Sequence, residues 1–344
     1  KLVVGTDKDG NPVATSELKY VWKDANGQLE GDQYKGDLDG TKISITPTAE
    51  QSNKQLSLYV YAIATDGTVV WSWTSDAFTV KPKDINEEIK TANVPTLSSK
   101  FDTTYTGKDV IPTVDDIDFS ALRGTGFSKA DFVIGSTEGD TVNYTNKGVN
   151  VYLSTTKTGY TGSLVINYKL TRKELTQDNV NDWVSAAFAT TSKAYTGNTI
   201  TLKASDIKLT DKKANTDVSS YVGSIDTISK ENAKAGKQFN TGKAGDGVLK
   251  IYLKNADTLT NFTVKGDVYL TTTSNSFAIT KRNLNTVNVV IPEMPYQNGQ
   301  PVVVPSTKAK YYDKDTNEEL TLADQVTITS TASTQGVHDV TVAA

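Results

Sequence analysis

Three stretches of the chain are close copies of one another: "DAFTVKPKDI" around Phe78, "INYKLTRKEL" around Tyr168 and "NSFAITKRNL" around Phe277. Each has an aromatic residue, an apolar residue two later, basic residues, an acidic or amide residue, and then Ile or Leu. Two further lines recur in the same order. "YTGK" at Tyr105 and "YTGN" at Tyr195 have a looser relative, "YQNGQP", at Tyr296. "GVNVYL" at Gly148 is followed by "GVLKIYL" at Gly247 and "GVHDVTV" at Gly336. Tyr105 lies 27 residues after Phe78, Tyr195 lies 27 after Tyr168, and Tyr296 lies 19 after Phe277. Motifs in fixed order imply tandem repeats of roughly 90–110 residues. Such a chain must fold as several small units, each burying its own core. The thrice-written line then reads as the last strand of one unit and its hand-over to the next, with the basic pair at a solvated junction.

Periodicity says what each unit is made of. "LSLYVYAIA" alternates through Leu56, Leu58, Val60 and Ala62, and "TVVWSW" puts Val69, Trp71 and Trp73 on one face. "LKYVW" sets Leu18, Tyr20 and Trp22 on one side. Alternation of period two belongs to strands with one buried face. Between the runs stand turn pairs such as Asn26-Gly27, Asp66-Gly67 and Asn298-Gly299, which tolerate the backbone that tight hairpins need. Helical periodicity is confined to single turns at "DINEEIKTA" and "TQDNVNDWV", where an Asp or Thr is placed to cap. The fold class read from this is all-β: immunoglobulin-like β-sandwich domains in tandem, in an extended array. The expected domains are residues 1–84, 85–175, 176–284 and 285–344. The last is expected to be a partial repeat, because few residues come after its Gly-Val line.

Composition narrows the chemistry. The chain of 344 residues has no cysteine, one histidine (His338) and a net charge of −4. That rules out disulfides and thiol nucleophiles and leaves His338 as the single histidine. A small negative charge is no footprint for nucleic acid, and no apolar run approaches a membrane span. Acidic residues are scattered through turns, with no recognisable pair for glycoside hydrolysis. The expectation is a protein that is not an enzyme.

"FDTTYTGKDVIPTV" from Phe101, "GVNVYL", and "GYTGSLVINYKLTRKEL" from Gly159 together resemble the bacterial Ig-like repeats of large Gram-positive-type cell-surface proteins. The resemblance is closest over 95–175. It is weaker over 176–284, where "TNFTVKGDVYL" stands in place of the second "YTG", and weaker again over 285–344. It implies a secreted, extracellular protein of the cell wall or surface layer. The role it implies is a structural one, most simply part of a self-assembling surface layer (S-layer). The alternative is an adhesin, or a phage virion fibre or decoration protein, binding a glycan or host protein. Its partners would be further copies, neighbouring surface proteins, or a cell-wall or host glycan.

Residue type and spacing supply the candidate site residues. Asp115, Asp116 and Asp118 form an acidic cluster. Asp313 and Asp315, with Asn317, partly echo a calcium loop, although Glu318 stands where such a loop has Gly and Asp324 replaces its Glu. Calcium is the only cofactor these suggest; a plain hairpin turn is the preferred reading of the second group, and a solvated strand edge that of the first. Asp7, Asp9 and Asn11 read as a turn. Trp71 and Trp73 either fill a core or, if exposed, stack on sugar rings as glycan contacts; the core reading is preferred, as it is for Trp22. Asn143 and Asn261 each begin a glycosylation triplet.

Overall fold

The computed structural model describes residues 2–6, 9, 12–15, 18–36, 46–64, 67–239, 247–256, 259–271, 276–331, 333, 334 and 336–344. The protein is all-β, with short strands gathered into many small sheets. The only α-helices among the described residues are single turns, Ile85–Glu88 and Val180–Trp183. Asp84 caps the first by accepting the amide of Asn86. The second begins after Asn179, which makes no side-chain cap, so Thr176 does not serve as the expected one. No helix among the described residues is long and apolar enough to cross a membrane.

The chain divides into two compact units. Unit 1 gathers Lys1–Thr103, Val110–Thr141 and Thr145–Leu170; unit 2 gathers Thr104–Asp109, Val142–Tyr144 and Thr171–Ala344.

In unit 1, the strand Leu18–Lys23 lies between Leu29–Gly36 and Gln55–Ile63, and Val69–Thr74 pairs with the far side of Gln55–Ile63. Leu56, Val60 and Ala62 are buried along one parity, as the alternation requires. Trp22 is buried too, at 6% exposure. The second sheet runs Phe132–Glu138, Val149–Thr155, Ser163–Tyr168, all antiparallel. Val149, Val151 and Leu153 point inward while Asn150 and Tyr152 stay half-exposed. They build a core with Ile117, Phe132, Leu164 and Ile166.

Unit 2 holds two further cores. The larger lies among sheets that include Val184–Phe188 with Ile207–Asp211 and Thr216–Asp217, and Val222–Ile225 with Lys250–Leu253 and Tyr269–Thr271. Phe277–Thr280 pairs in parallel with Ser192–Ala194 and antiparallel with Gln238–Phe239. The smaller core lies among Val287–Val290, Lys310–Asp313 and Glu319–Leu320, and the pair Thr327–Ser330 with Val340–Ala343.

The hand-over line has a structural explanation. Lys83–Asp84 pairs in parallel with Tyr160–Thr161, and Lys173–Leu175 pairs in parallel with Phe262–Val264. "NFT" therefore occupies in one repeat the place that "YTG" occupies in the other. The aliphatic residue that closes each line belongs to the core of the succeeding repeat. Ile85 and Leu175 are fully buried, and Leu284 packs against the smaller core of unit 2. In the second and third copies the line ends one hydrophobic cluster, with Tyr168 and Phe277, and starts the next, with Leu175 and Leu284; in the first, Phe78 is exposed and Ile85 opens the cluster that follows.

Candidate functional site

The residues that most set this molecule apart are those of the "YTG" turns. Gly107 and Gly197 both have left-handed backbone, φ +78° and +76°, which glycine adopts without steric cost. Tyr105 is fully buried in the larger core of unit 2, edge-on to Phe262 at 5.4 Å and tilted against Trp183 at 6.2 Å. Its amide donates to the carbonyl of Thr171. Its hydroxyl donates to Asp211 Oδ2 at 2.7 Å.

Asp211 is itself fully buried. The Lys213 amide at 2.8 Å and the Ala214 amide at 3.2 Å donate to its other oxygen. A buried carboxylate survives only when its oxygens are satisfied by donors, and Tyr105 supplies the donor that the turn does not. Burial, and next the bond to Asp211, push the Tyr105 hydroxyl well above its ordinary pKa. A Cβ built on Gly107 would lie 2.4 Å from Lys213 Cβ, so this turn fits against the Asp211 turn only as glycine.

The same parts recur around the smaller core with one substitution. The amide of Tyr195 donates to Thr280, and Arg282 Nε donates to the Tyr195 carbonyl at 2.6 Å. Asp313 takes the position of Asp211: Val287 pairs with Asp313 as Val184 pairs with Asp211. Here a guanidinium replaces the phenol. Arg282 Nη1 donates to Asp313 Oδ2 at 2.5 Å, while the amides of Asp315 and Thr316 donate to Oδ1. The Thr316 amide first, and then Arg282, hold Asp313 down to about 2. Gly197 is tighter still than Gly107, since a Cβ there would sit 1.7 Å from the Thr321 carbonyl oxygen. Thr321 donates its amide to Thr196, and the Asn198 side chain donates to the Glu319 carbonyl.

The basic pairs are thus more than a solvated junction. Arg172 Nε donates to the carbonyls of Leu259 and Thr260, with its guanidinium 3.7 Å from the Tyr144 ring centre. Lys173 lies over the Trp183 ring. Only the first copy keeps the exposed character expected of it, with Lys83 paired to Glu88.

Trp71 and Trp73 are not core residues. They are 42% and 51% exposed on the strand Val69–Thr74, opposite the buried Ala62 and Val60. Alternation placed them correctly on one face; the central strand's part of that face is covered and their part is open.

The acidic candidates are occupied locally. Asp115 is exposed and pairs with Lys129. Asp116 accepts the amide and hydroxyl of Thr113, and Asp118 accepts the amide of Ser120; these bonds hold both below the usual carboxylate range. Asp313 and Asp315 lie at a hairpin between Lys310–Asp313 and Glu319–Leu320, with Asn317 at φ +56°. Among the described residues, no group of three or more His, Asp or Glu side chains is placed to hold a metal ion. Asp7 and Asn11 lie outside the described residues; Asp9 is exposed in a turn.

Asn261 is buried, its amide donating to Asn143 Oδ1 and its oxygen accepting from Tyr144. It is a structural asparagine rather than a glycan acceptor. His338 is exposed, and its Nε2 lies 2.7 Å from the Thr334 carbonyl oxygen, to which it donates.

Sequence reasoning missed Asp211, Arg172 and Arg282. A signal existed: "DKKANTD" at Asp211 and "DKDTNEE" at Asp313 share Asp-Lys-x-x-Asn, with both asparagines at positive φ. No protein-family model matches this chain, and no curated protein does.

Proposed function

We propose that this chain is a non-catalytic structural part of a secreted bacterial surface assembly, an S-layer being the reading that fits best. In this reading residues 1–84, 85–175, 176–284 and 285–344 are tandem immunoglobulin-like sandwiches in an extended array. The supporting observation is the way successive clusters are tied. Ile85, Leu175 and Leu284 each end one copy of the line and pack into the next core. Arg282 bridges the Tyr195 turn to Asp313. Interlocked small cores of this kind resist being pulled apart, which suits a coat that bears load and needs no turnover. Copies and neighbouring surface proteins are its partners.

The test is mechanical and morphological together. Single molecules held by their ends should unfold in several discrete steps, and purified protein at high concentration should form ordered sheets or filaments by electron microscopy. A monodisperse protein that hydrolyses a polysaccharide or peptide, with activity abolished by one Asp or Glu substitution, overturns the proposal.

A second reading rests on one observation, the exposed pair Trp71 and Trp73. Side chains two apart on a strand stand about 7 Å from each other on the same face, a spacing at which both indoles can stack on one oligosaccharide. Cell-wall or host glycan binding would then belong to residues 1–84. Tryptophan fluorescence titrated with cell-wall oligosaccharides tests it: a saturable change lost in Trp71→Ala supports an adhesin, and no change with any glycan dismisses it.

A further inference from the structure

Tension along a chain loads its strand pairs according to their sense. Where an earlier strand lies parallel to a later one, the pull from the N-terminal side acts on one end of the ladder and the pull from the C-terminal side on the other. All the bonds then share the load. Where the two strands are antiparallel, both pulls act at the same end, and the bonds open one after another. Strand order and register therefore sort the ladders of this protein into those that peel and those that hold.

Two ladders of the stretch 171–284 are parallel, and they tie its first part to its last. Lys173–Leu175 runs beside Phe262–Val264, and Ser192–Ala194 runs beside Phe277–Thr280, with three residues matched in each. The other ladders among the described residues of this stretch are antiparallel. Bonding runs past the matched residues: the amides of Lys173, Ala278 and Tyr195 donate to the carbonyls of Asn261, Thr191 and Thr280. The inward side chains Leu175, Phe262, Val264, Phe277 and Ile279 are all fully buried. A slip of one residue would turn them to the opposite face, so neither strand can creep along its partner.

Each ladder also has an arginine at one end. Arg172 Nε donates to the carbonyls of Leu259 and Thr260, just ahead of Phe262–Val264. Arg282 Nε donates to the carbonyl of Tyr195, just past Ser192–Ala194. In both cases a side chain flanking one strand bonds the backbone that continues the other. The corresponding ladder at the first hand-over line is slighter. Lys83–Asp84 matches Tyr160–Thr161 over two residues, and Pro82 stands four positions after its aromatic residue, where Arg172 stands after Tyr168. Thr104 and Thr171 form only an isolated parallel bridge.

We propose that the two parallel ladders of 171–284 are the tension-bearing clamps of this protein, with Arg172 and Arg282 as their pins. The structural role proposed above gives the clamps their purpose, and their test is independent of it. Whether the protein forms sheets bears on that role alone; how one molecule yields to force bears on the clamps alone.

The chain has no cysteine, so introduced thiols are the sole points of attachment for single-molecule pulling on the whole protein. Thr191→Cys with Lys281→Cys loads the ladder of Ser192–Ala194 and Phe277–Thr280 from opposite ends. Thr191→Cys with Ser276→Cys loads it from one end, and Thr199→Cys with Lys281→Cys from the other. Thermal melting first shows which handle variants keep the parent's stability, and either same-end variant suffices for the comparison. Rupture releases the roughly 80–90 residues between handles, about 300 Å of extended chain, which identifies the event. Forced unfolding follows the unfolding barrier, so opposite-end loading should need about twice the force of same-end loading or more. Arg282→Gln should lower the opposite-end force and leave the force between Thr191→Cys and Ser276→Cys unchanged, because that peeling starts at the far end of the ladder. Equal forces in opposite-end and same-end loading overturn the clamp. A fall of the same proportion in both geometries overturns the pin, since loss of stability alone would produce it.

Discussion

Replacing Tyr105 by Phe removes a single oxygen, and the structure says what that costs. The hydroxyl is the donor to a fully buried carboxylate oxygen of Asp211, 2.7 Å away. Hydrogen bonds to charged groups contribute roughly 1.5–3 kcal/mol, and a buried acceptor left without a donor keeps its full desolvation cost. The ring itself stays, so the contacts with Phe262 and Trp183 are retained and no cavity forms. A loss of about 2 kcal/mol is expected, equivalent to roughly 4–8 °C in the melting temperature of the unit that contains it. Calorimetry on Tyr105→Phe, Asp211→Asn and the double variant measures the pair directly. Two groups that bond to each other at this position should show a coupling of about 1 kcal/mol or more. Additive losses, or a melting temperature for Tyr105→Phe within a degree of the parent, would refute the assignment of Asp211 as a carboxylate held by this tyrosine.

Other expectations rest on the same geometry. Gly197→Ala and Gly107→Ala should each destabilise by more than Gly299→Ala: all three have positive φ, but only the first two have backbone or side-chain atoms within 3 Å of the added carbon. The left-handed conformation alone costs roughly 1 kcal/mol for alanine, so Gly299→Ala calibrates that share in the same melting series. Asp313 is held down to about 2, below its unfolded value near 4; its stabilising share is present above pH 4 and lost as pH falls towards 2. Asp313→Asn should therefore flatten the acid limb of the last transition, and an unchanged acid limb would count against the Arg282 bridge. Because Asp313 already has three donors, millimolar calcium should leave that transition within about a degree of its position in chelator; a rise of several degrees would support metal ligation at Asp313 and Asp315.

Much of this fold was legible in the sequence. Alternation in "LSLYVYAIA" and "GVNVYL" marks strands because burial on one face needs nothing beyond the chain's own period. Turn glycines such as Gly107 and Gly197 declare themselves through the backbone they permit. What stayed hidden depends on neighbours distant in sequence. Trp71 and Trp73 share a face with Val60 and Ala62, yet only a view of what covers that face separates exposed from buried. Asp211 looks like any acidic turn residue, and its burial depends on Tyr105, 106 positions earlier. Asn261 carries a surface-type triplet and is buried by Asn143 and Tyr144. The basic pairs read as solvated because the carbonyls they bond, of Leu259, Thr260 and Tyr195, are distant in sequence.

The position of Tyr105 bears on how such chains are divided, in the laboratory or by recombination. Its segment, Thr104–Asp109, groups with Thr171–Ala344, whereas the flanking Val110–Thr141 and Thr145–Leu170 group with Lys1–Thr103. The period of the sequence and the period of the cores are therefore out of phase. A chain begun at Thr176 keeps a full repeat on paper, but it leaves a ring-sized void beside Phe262 and Asp211 without its hydroxyl. Shuffling at the sequence boundary strands each plug from its socket. Exchange is expected to succeed only where the incoming neighbour carries the matching tyrosine turn.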